Sequence, residues 1–215
     1  MIKRDGCESW RRACAQAADM LARDVPERYR SRSFSGVIGD IKALSPRKAR
    51  SLFARKKGLG KQYAWLYLMR GIDGGLGYQA CAAEALSHIL RTARIEPFGG
   101  AVLDVGCAVG VTAGILELEN VVGFDLFDDL LHAARLTDKL AAKKNLYVAA
   151  DMTMTWPFRQ AFDTVVCGLV CHHLKNQADI LTFFSNAERV MKPGGVLIVT
   201  FPSGSVGNSG QLKNI

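Results

Sequence analysis

Residues 102–110, Val-Leu-Asp-Val-Gly-Cys-Ala-Val-Gly, constrain the fold more than any other stretch. Val102, Leu103 and Val105 read as a short strand of the kind buried on both faces in a parallel sheet. Gly106 and Gly110 let the chain turn sharply and let a ligand approach bare backbone. A helix is expected near Val111 or Thr112, its free N–H groups pointing at the same spot. Strand, glycine turn and helix N-terminus together make a nucleotide-type pocket.

The spacing narrows the choice of nucleotide. A dinucleotide fingerprint, G-x-G-x-x-G, would need glycines at 108 and 111, where the chain has Ala108 and Val111. Asp104, two residues ahead of the first glycine, would repel a pyrophosphate and attract an ammonium group. S-adenosylmethionine (SAM) carries an ammonium and no phosphate. Asp125 closes the apolar run Val121-Val122-Gly123-Phe124 and is placed to accept two ribose hydroxyls. Hydroxyl recognition fits NAD and SAM alike, so Asp104 is the discriminating residue.

The stretch resembles the class I SAM-dependent methyltransferases, whose first motif is an Asp followed by closely spaced glycines. The resemblance continues through Gly123-Phe124-Asp125, Val148-Ala149-Ala150-Asp151-Met152, Phe162-Asp163-Thr164-Val165-Val166-Cys167, His172-His173-Leu174 and Lys192-Pro193-Gly194-Gly195. It spans residues 101 to about 202. Five motifs in order carry it, where any single one would be weak. Ala108 departs from the family's usual glycine. The pattern looks most like the methyltransferase type 11 group acting on small molecules and lipids.

The resemblance implies an α/β fold: a Rossmann-like, doubly wound parallel sheet in the order 3-2-1-4-5. It also implies SAM as cofactor, with Asp104, Gly106, Cys107, Ala108, Gly110, Asp125, Leu126, Asp151, Met152 and Cys167 around it. Asp151 would accept from the adenine amino group. Met152 would meet the ring, and Cys167 would offer a backbone carbonyl to the methionine moiety. Asp104 has a second reading, as a cap for the glycine loop's N–H groups, and Asp125 one as a helix N-cap.

The alternation from residue 101 onward gives strands near 101–105, 121–125, 146–150, 163–167 and 196–201. Helices are expected near 112–118, 128–143 and 178–191, with Lys192-Pro193-Gly194-Gly195 as a turn. Two closing strands usual in the family have no counterpart in the polar, glycine-rich residues 203–215. The fifth strand is therefore expected to be a sheet edge. The favoured explanation is a truncated chain; cover by another chain or by the N-terminal helices is the alternative.

The N-terminal part is a different material. Up to Glu96 there are 19 Lys and Arg against 9 Asp and Glu, and afterwards 9 against 11, so this part holds the whole excess of positive charge. Residues 1–97 read as a basic, mainly helical extension or lid, 98–202 as the SAM-binding core and 203–215 as a tail. Helices are expected at Ser9–Ala22 with Trp10, Ala13, Ala17 and Met20 or Leu21 on one face, from Pro46 to about Lys57, at Lys61–Arg70 and from Tyr78 to about Arg94. Tyr63, Trp65 and Tyr67 are candidates for a substrate wall. Six cysteines, none in a C-x-x-C pair, suit reduced thiols in a cytoplasm and no metal site. No apolar run reaches the roughly 18 residues of a membrane helix.

His172 and His173 have three readings: opening the helix after the fourth strand and packing beneath the cofactor, proton acceptance from or contact with a substrate, and metal ligation with Cys167 and Cys171. Methyl transfer asks mainly for positioning and a dry pocket. The chain lacks the D/N-P-P-Y/F/W of base N-methylation, the Pro-Cys of 5-methylcytosine formation and a double-acid loop like that of arginine methyltransferases. A small-molecule or lipid acceptor is the leading expectation. An RNA acceptor, held by the basic segment, and a SAM-binding protein without turnover are the alternatives. The acceptor atom and the oligomeric state are not legible.

Overall fold

A computed structural model describes residues 4–30, 37, 44, 46–56, 58–72, 86, 92 and 100–201. The expected helix from Tyr78, the Ser45 cap and the tail lie outside these residues, apart from single positions. Four helices come first: α1 (Arg4–Ala22), α2 (Glu27–Arg30), α3 (Pro46–Arg55) and α4 (Leu59–Ile72). Strands and helices then alternate as β1 (Val102–Val105), α5 (Val111–Ile115), β2 (Val121–Asp125), α6 (Asp128–Leu140), β3 (Leu146–Ala149), β4 (Phe162–Gly168), α7 (Gln177–Val190) and β5 (Met191–Thr200).

The sheet is five-stranded and parallel in the order β3-β2-β1-β4-β5, as the resemblance implied. β1 sits at its centre with all four residues buried, which explains why Val-Leu-Asp-Val shows no polar alternation. Alternate residues feed two cores. On one face Val102, Val121 and Val166 meet Ala113 and Leu118 beside α5. On the other, Leu103, Val105, Phe124 and Val165 meet Phe183, Ala187 and Val190 of α7. Trp156 fills that second core, edge-on to Phe124 at 5.2 Å and to Phe183 at 5.5 Å.

α1 and α4 pack outside α5 and α6. Trp10, Ala13, Cys14, Ala17, Ala18 and Leu21 form the buried face of α1, while Met20 is half exposed and drops out of the expected set. The helix begins at Arg4, so Ser9 lies inside it and is not its cap. Gly114 admits Trp10: a Cβ there would overlap the indole ring. Gly60 does the same for α4, whose approach brings it against the Asp129 side chain of α6.

Two loop readings change. Lys192-Pro193-Gly194-Gly195 does not precede β5 but lies inside it as a bulge. Met191 already pairs with Phe162, and regular pairing resumes at Thr164 with Val196. Gly194, at φ +78°, provides the left-handed residue the bulge needs. His172 and His173 do not open the helix after β4. They form a separate 3₁₀ turn, Cys171–His173, and α7 starts afterwards, capped by the Asn176 side chain accepting from Asp179 N–H at 2.9 Å. Among the described residues β5 pairs with β4 alone, so its outer edge is open there.

Candidate functional site

The carboxyl ends of β1, β2, β3 and β4 surround a cavity of about 400 Å³. Open α/β sheets bind ligands at this end, where the chain connections diverge on either side of the central strand. Gly106, Ala108, Asp125, Leu126, Asp151, Met152, His172 and His173 all line it, so most of the expected site residues converge. Cys107 and Thr112 line a smaller pocket on the far side of the glycine loop. Asp104, Gly110 and Cys167 line neither.

The glycine loop turns on three left-handed residues, Gly106 (φ +70°), Ala108 (φ +49°) and Gly110 (φ +79°). The N–H groups of Gly106, Cys107, Ala108 and Gly110 are spent within the protein. Those of Gly106 and Cys107 both donate to the Phe124 carbonyl, at 2.8 and 3.1 Å, and that of Ala108 donates to Asp125 Oδ2 at 3.1 Å. A phosphate would need those donors. Asp104 therefore does not cap the loop. It is 1% exposed beneath it, and its Oδ2 has no hydrogen-bond partner among the described residues. Burial, with the Asp125 charge added, pushes its carboxyl up to about 7.

Asp125 ends β2. Its Oδ2 holds Ala108 and its Oδ1 accepts from Phe127 N–H at 3.1 Å. Burial raises it to about 6 against the pull of those backbone donors. A carboxylate offers about four acceptor positions; with the Leu126 N–H also donating, one remains for a ligand facing the cavity. The helix-cap reading fails in detail, because Phe127 occupies the N-cap position of α6. Asp151 follows β3. Its Oδ1 accepts from Thr153 N–H and hydroxyl at 2.9 and 2.7 Å, which fixes the carboxylate at the cavity wall.

The loop carrying Asp151 and Met152 is braced from α7. Trp156 Nε1 donates to the Met152 carbonyl at 3.1 Å, and Trp156 N–H donates to Asn186 Oδ1 at 3.1 Å. Arg189 holds the Trp156 and Phe158 carbonyls. These braces come from a helix some thirty residues away and have no local sequence signal.

Beyond β4, Gly168, Leu169 and Val170 form the floor. The Cys167 thiol faces Cys171 at 3.3 Å, and that contact together with burial raises its pKa well above the ordinary value. It is small packing, as its size suggested. His172 and His173 are exposed at the cavity wall with ring centroids 3.9 Å apart.

The N-terminal helices supply the remaining wall. Tyr63 and Tyr67 line it, their rings edge-on at 4.9 Å, while Trp65 does not. Phe53 of α3 packs against Phe127 at 4.4 Å. Leu44, Ala49 and Lys175 also line the cavity and were not singled out in the sequence. Lys175 Nζ donates to the Leu44 carbonyl at 3.0 Å, and Arg50 Nε to the Leu126 carbonyl at 3.4 Å, so the start of α3 crosses the mouth from the β4 side to the β2 side.

Residues 103–199 match the model of a family described as a methyltransferase domain. This span is similar to known methyltransferase domains. The domain is 31% identical over 106 residues to a demethylmenaquinone methyltransferase of Lactococcus lactis, covering 46% of this chain and 41% of the relative. It is 33% identical over 103 residues to a ubiquinone biosynthesis O-methyltransferase of Vibrio atlanticus, again covering 46% and 41%. The chain thus matches less than half the length of these relatives. A crystal structure of a Pyrococcus horikoshii protein superimposes with a TM-score of 0.50 at 25% identity, over 58% of this chain and 54% of that one, and shares the fold. Among the described residues no helix is long and apolar enough to cross a membrane.

Proposed function

We propose that this protein transfers a methyl group from SAM to a small-molecule acceptor. One observation carries the choice of cofactor: a buried carboxylate oxygen without a partner among the described residues, Asp104 Oδ2, lies under a loop whose Gly106, Cys107, Ala108 and Gly110 N–H groups are already taken. That arrangement suits a cation and not a diphosphate. The residues fit the group. Asp125 has an acceptor position left for a ribose hydroxyl, and Asp151 and Met152 suit the adenine. Gly106, Cys107, Ala108 and Gly110 give close backbone approach, with Leu126 and Cys167 at the two ends.

Bound SAM supplies an activated methyl on its sulfonium. The chain's residues align the acceptor behind that methyl and keep water out. Tyr63, Tyr67 and the start of α3 close the pocket on the acceptor side. For a hydroxyl acceptor, His172 or His173, at the cavity wall, would take the proton as general base. The names of the two curated relatives, which act in quinone metabolism, support a ring-bearing acceptor of lipid-like character.

The basic, exposed residues of α3, Arg47, Lys48, Arg50 and Arg55, favour a second reading in which the acceptor is RNA. Incubation with labelled SAM and a fractionated extract separates the two: label in small molecules or lipid supports the first, label in RNA the second, and no label under saturating SAM removes both. Calorimetry with S-adenosylhomocysteine tests the site itself. One charge-assisted hydrogen bond at about 1.5–3 kcal/mol predicts at least a roughly tenfold loss in Asp125→Ala; unchanged affinity refutes the assignment.

A further inference from the structure

The ionisable residues that line the cavity are sorted by sign. Asp125 and Asp151 stand at the ends of β2 and β3; His172, His173 and Lys175 stand beyond β4. β1, with the glycine loop at its end, lies between the two groups in the sheet order. No acidic side chain lines the β4 side among the described residues. The rest of that side is apolar or aromatic: Leu44, Ala49, Tyr63, Tyr67 and Val170.

Lys175 is the fixed charge there. Its bond to the Leu44 carbonyl uses one of three ammonium donors and holds the head group at the rim of the cavity. An ammonium has no acceptor, so its other two donors suit an anion. From this geometry we infer that the acceptor is an apolar small molecule bearing an acid group, and that Lys175 is the residue that selects the acid. The inference rests on the methyltransferase reading of the same cavity: once the acidic end holds the adenosyl group, the basic end is left for the acceptor. A charge-assisted contact at a partly solvated rim gives roughly tenfold preference for acid over uncharged isostere, weakening with salt.

The test uses the full chain saturated with S-adenosylhomocysteine and two probes, 2-naphthoate and its uncharged isostere 2-naphthamide, titrated by calorimetry. Naphthoate is expected to bind about tenfold more tightly than the amide. The preference is expected to vanish in Lys175→Met and to return in Lys175→Arg. A mere tether on Leu44 would weaken both probes equally in Lys175→Met, and that result overturns the inference, as do equal affinities in the unmodified protein or binding of neither probe. A Lys175→Met protein that loses S-adenosylhomocysteine while keeping its acid preference also overturns it, because the charge then serves the cofactor's own carboxylate. Failure of S-adenosylhomocysteine to bind the unmodified protein strikes the methyltransferase reading instead, so the two failures are distinct.

Discussion

Replacing Asp104 with Asn should make the empty protein more stable while removing its ligand. The carboxyl is 1% exposed and sits at about 7 instead of its ordinary 3.8. In the unfolded chain it ionises near pH 4; in the fold it keeps its proton until about pH 7. Between those values the folded state binds more protons than the unfolded one, so the group's contribution to stability falls as pH rises. At pH 8 the gap corresponds to about 4 kcal/mol, at 1.36 kcal/mol per pKa unit. At pH 5, where the folded group is still neutral, it is about 2 kcal/mol. Asn keeps the shape without the charge, although its amide loses part of the gain if it finds no partner. The diagnostic quantity is therefore the pH dependence: the advantage of Asp104→Asn over the unmodified protein should grow by about 2 kcal/mol from pH 5 to pH 8, or roughly 4–8 °C in melting temperature. Thermal unfolding of both proteins at the two pH values, without ligand, measures it. An advantage that is flat or shrinks with pH refutes the reasoning. In the same variant SAM affinity should fall at least a hundredfold, since the charge removed is the one a buried ammonium would meet.

Because a bound cation favours the ionised form of Asp104, SAM binding to the unmodified protein should tighten from pH 5 to pH 8 and release protons, which calorimetry in buffers of different ionisation enthalpy detects. Ala108 is an L-residue at φ +49°, so Ala108→Gly should stabilise the fold by about 1 kcal/mol in urea titration and leave SAM affinity within a fewfold. Gly114→Ala places a methyl against the Trp10 indole and should cost about 1–3 kcal/mol, with the amides of α1 losing hydrogen-exchange protection before those of the sheet. Tyr147 donates to Asp138 at 2.9 Å beneath the glycine loop, so Tyr147→Phe should cost about 0.5–1.5 kcal/mol in urea titration by removing one donor from a carboxylate that Asn145 also serves.

The central strands were legible because glycines and charged loops bound runs of apolar residues too short for helices. β2 is observed at Val121–Asp125, the range its residues gave; β1 and β3 differ by one residue at one end and β4 by one residue at each end. The cofactor half of the site was legible too, since its residues sit where strands end and motifs are local. What could not be read came from contacts made across the fold. The start of β5 at Met191 depends on its partner Phe162, which turns an apparent Pro-Gly turn into a bulge. The role of Lys175 depends on Leu44, 131 residues away, folding back over the cavity. Trp65, placed on the same helix as Tyr63 and Tyr67, points into the N-terminal core instead, a difference of helical phase that an all-round apolar helix does not reveal.

The most direct test titrates the purified protein in parallel with SAM and with NAD under identical conditions. A buried acid behind a loop whose Gly106, Cys107 and Ala108 N–H groups are already bonded predicts one saturable site for SAM and no detectable heat from the dinucleotide. Saturable binding of NAD with indifference to SAM would contradict the account.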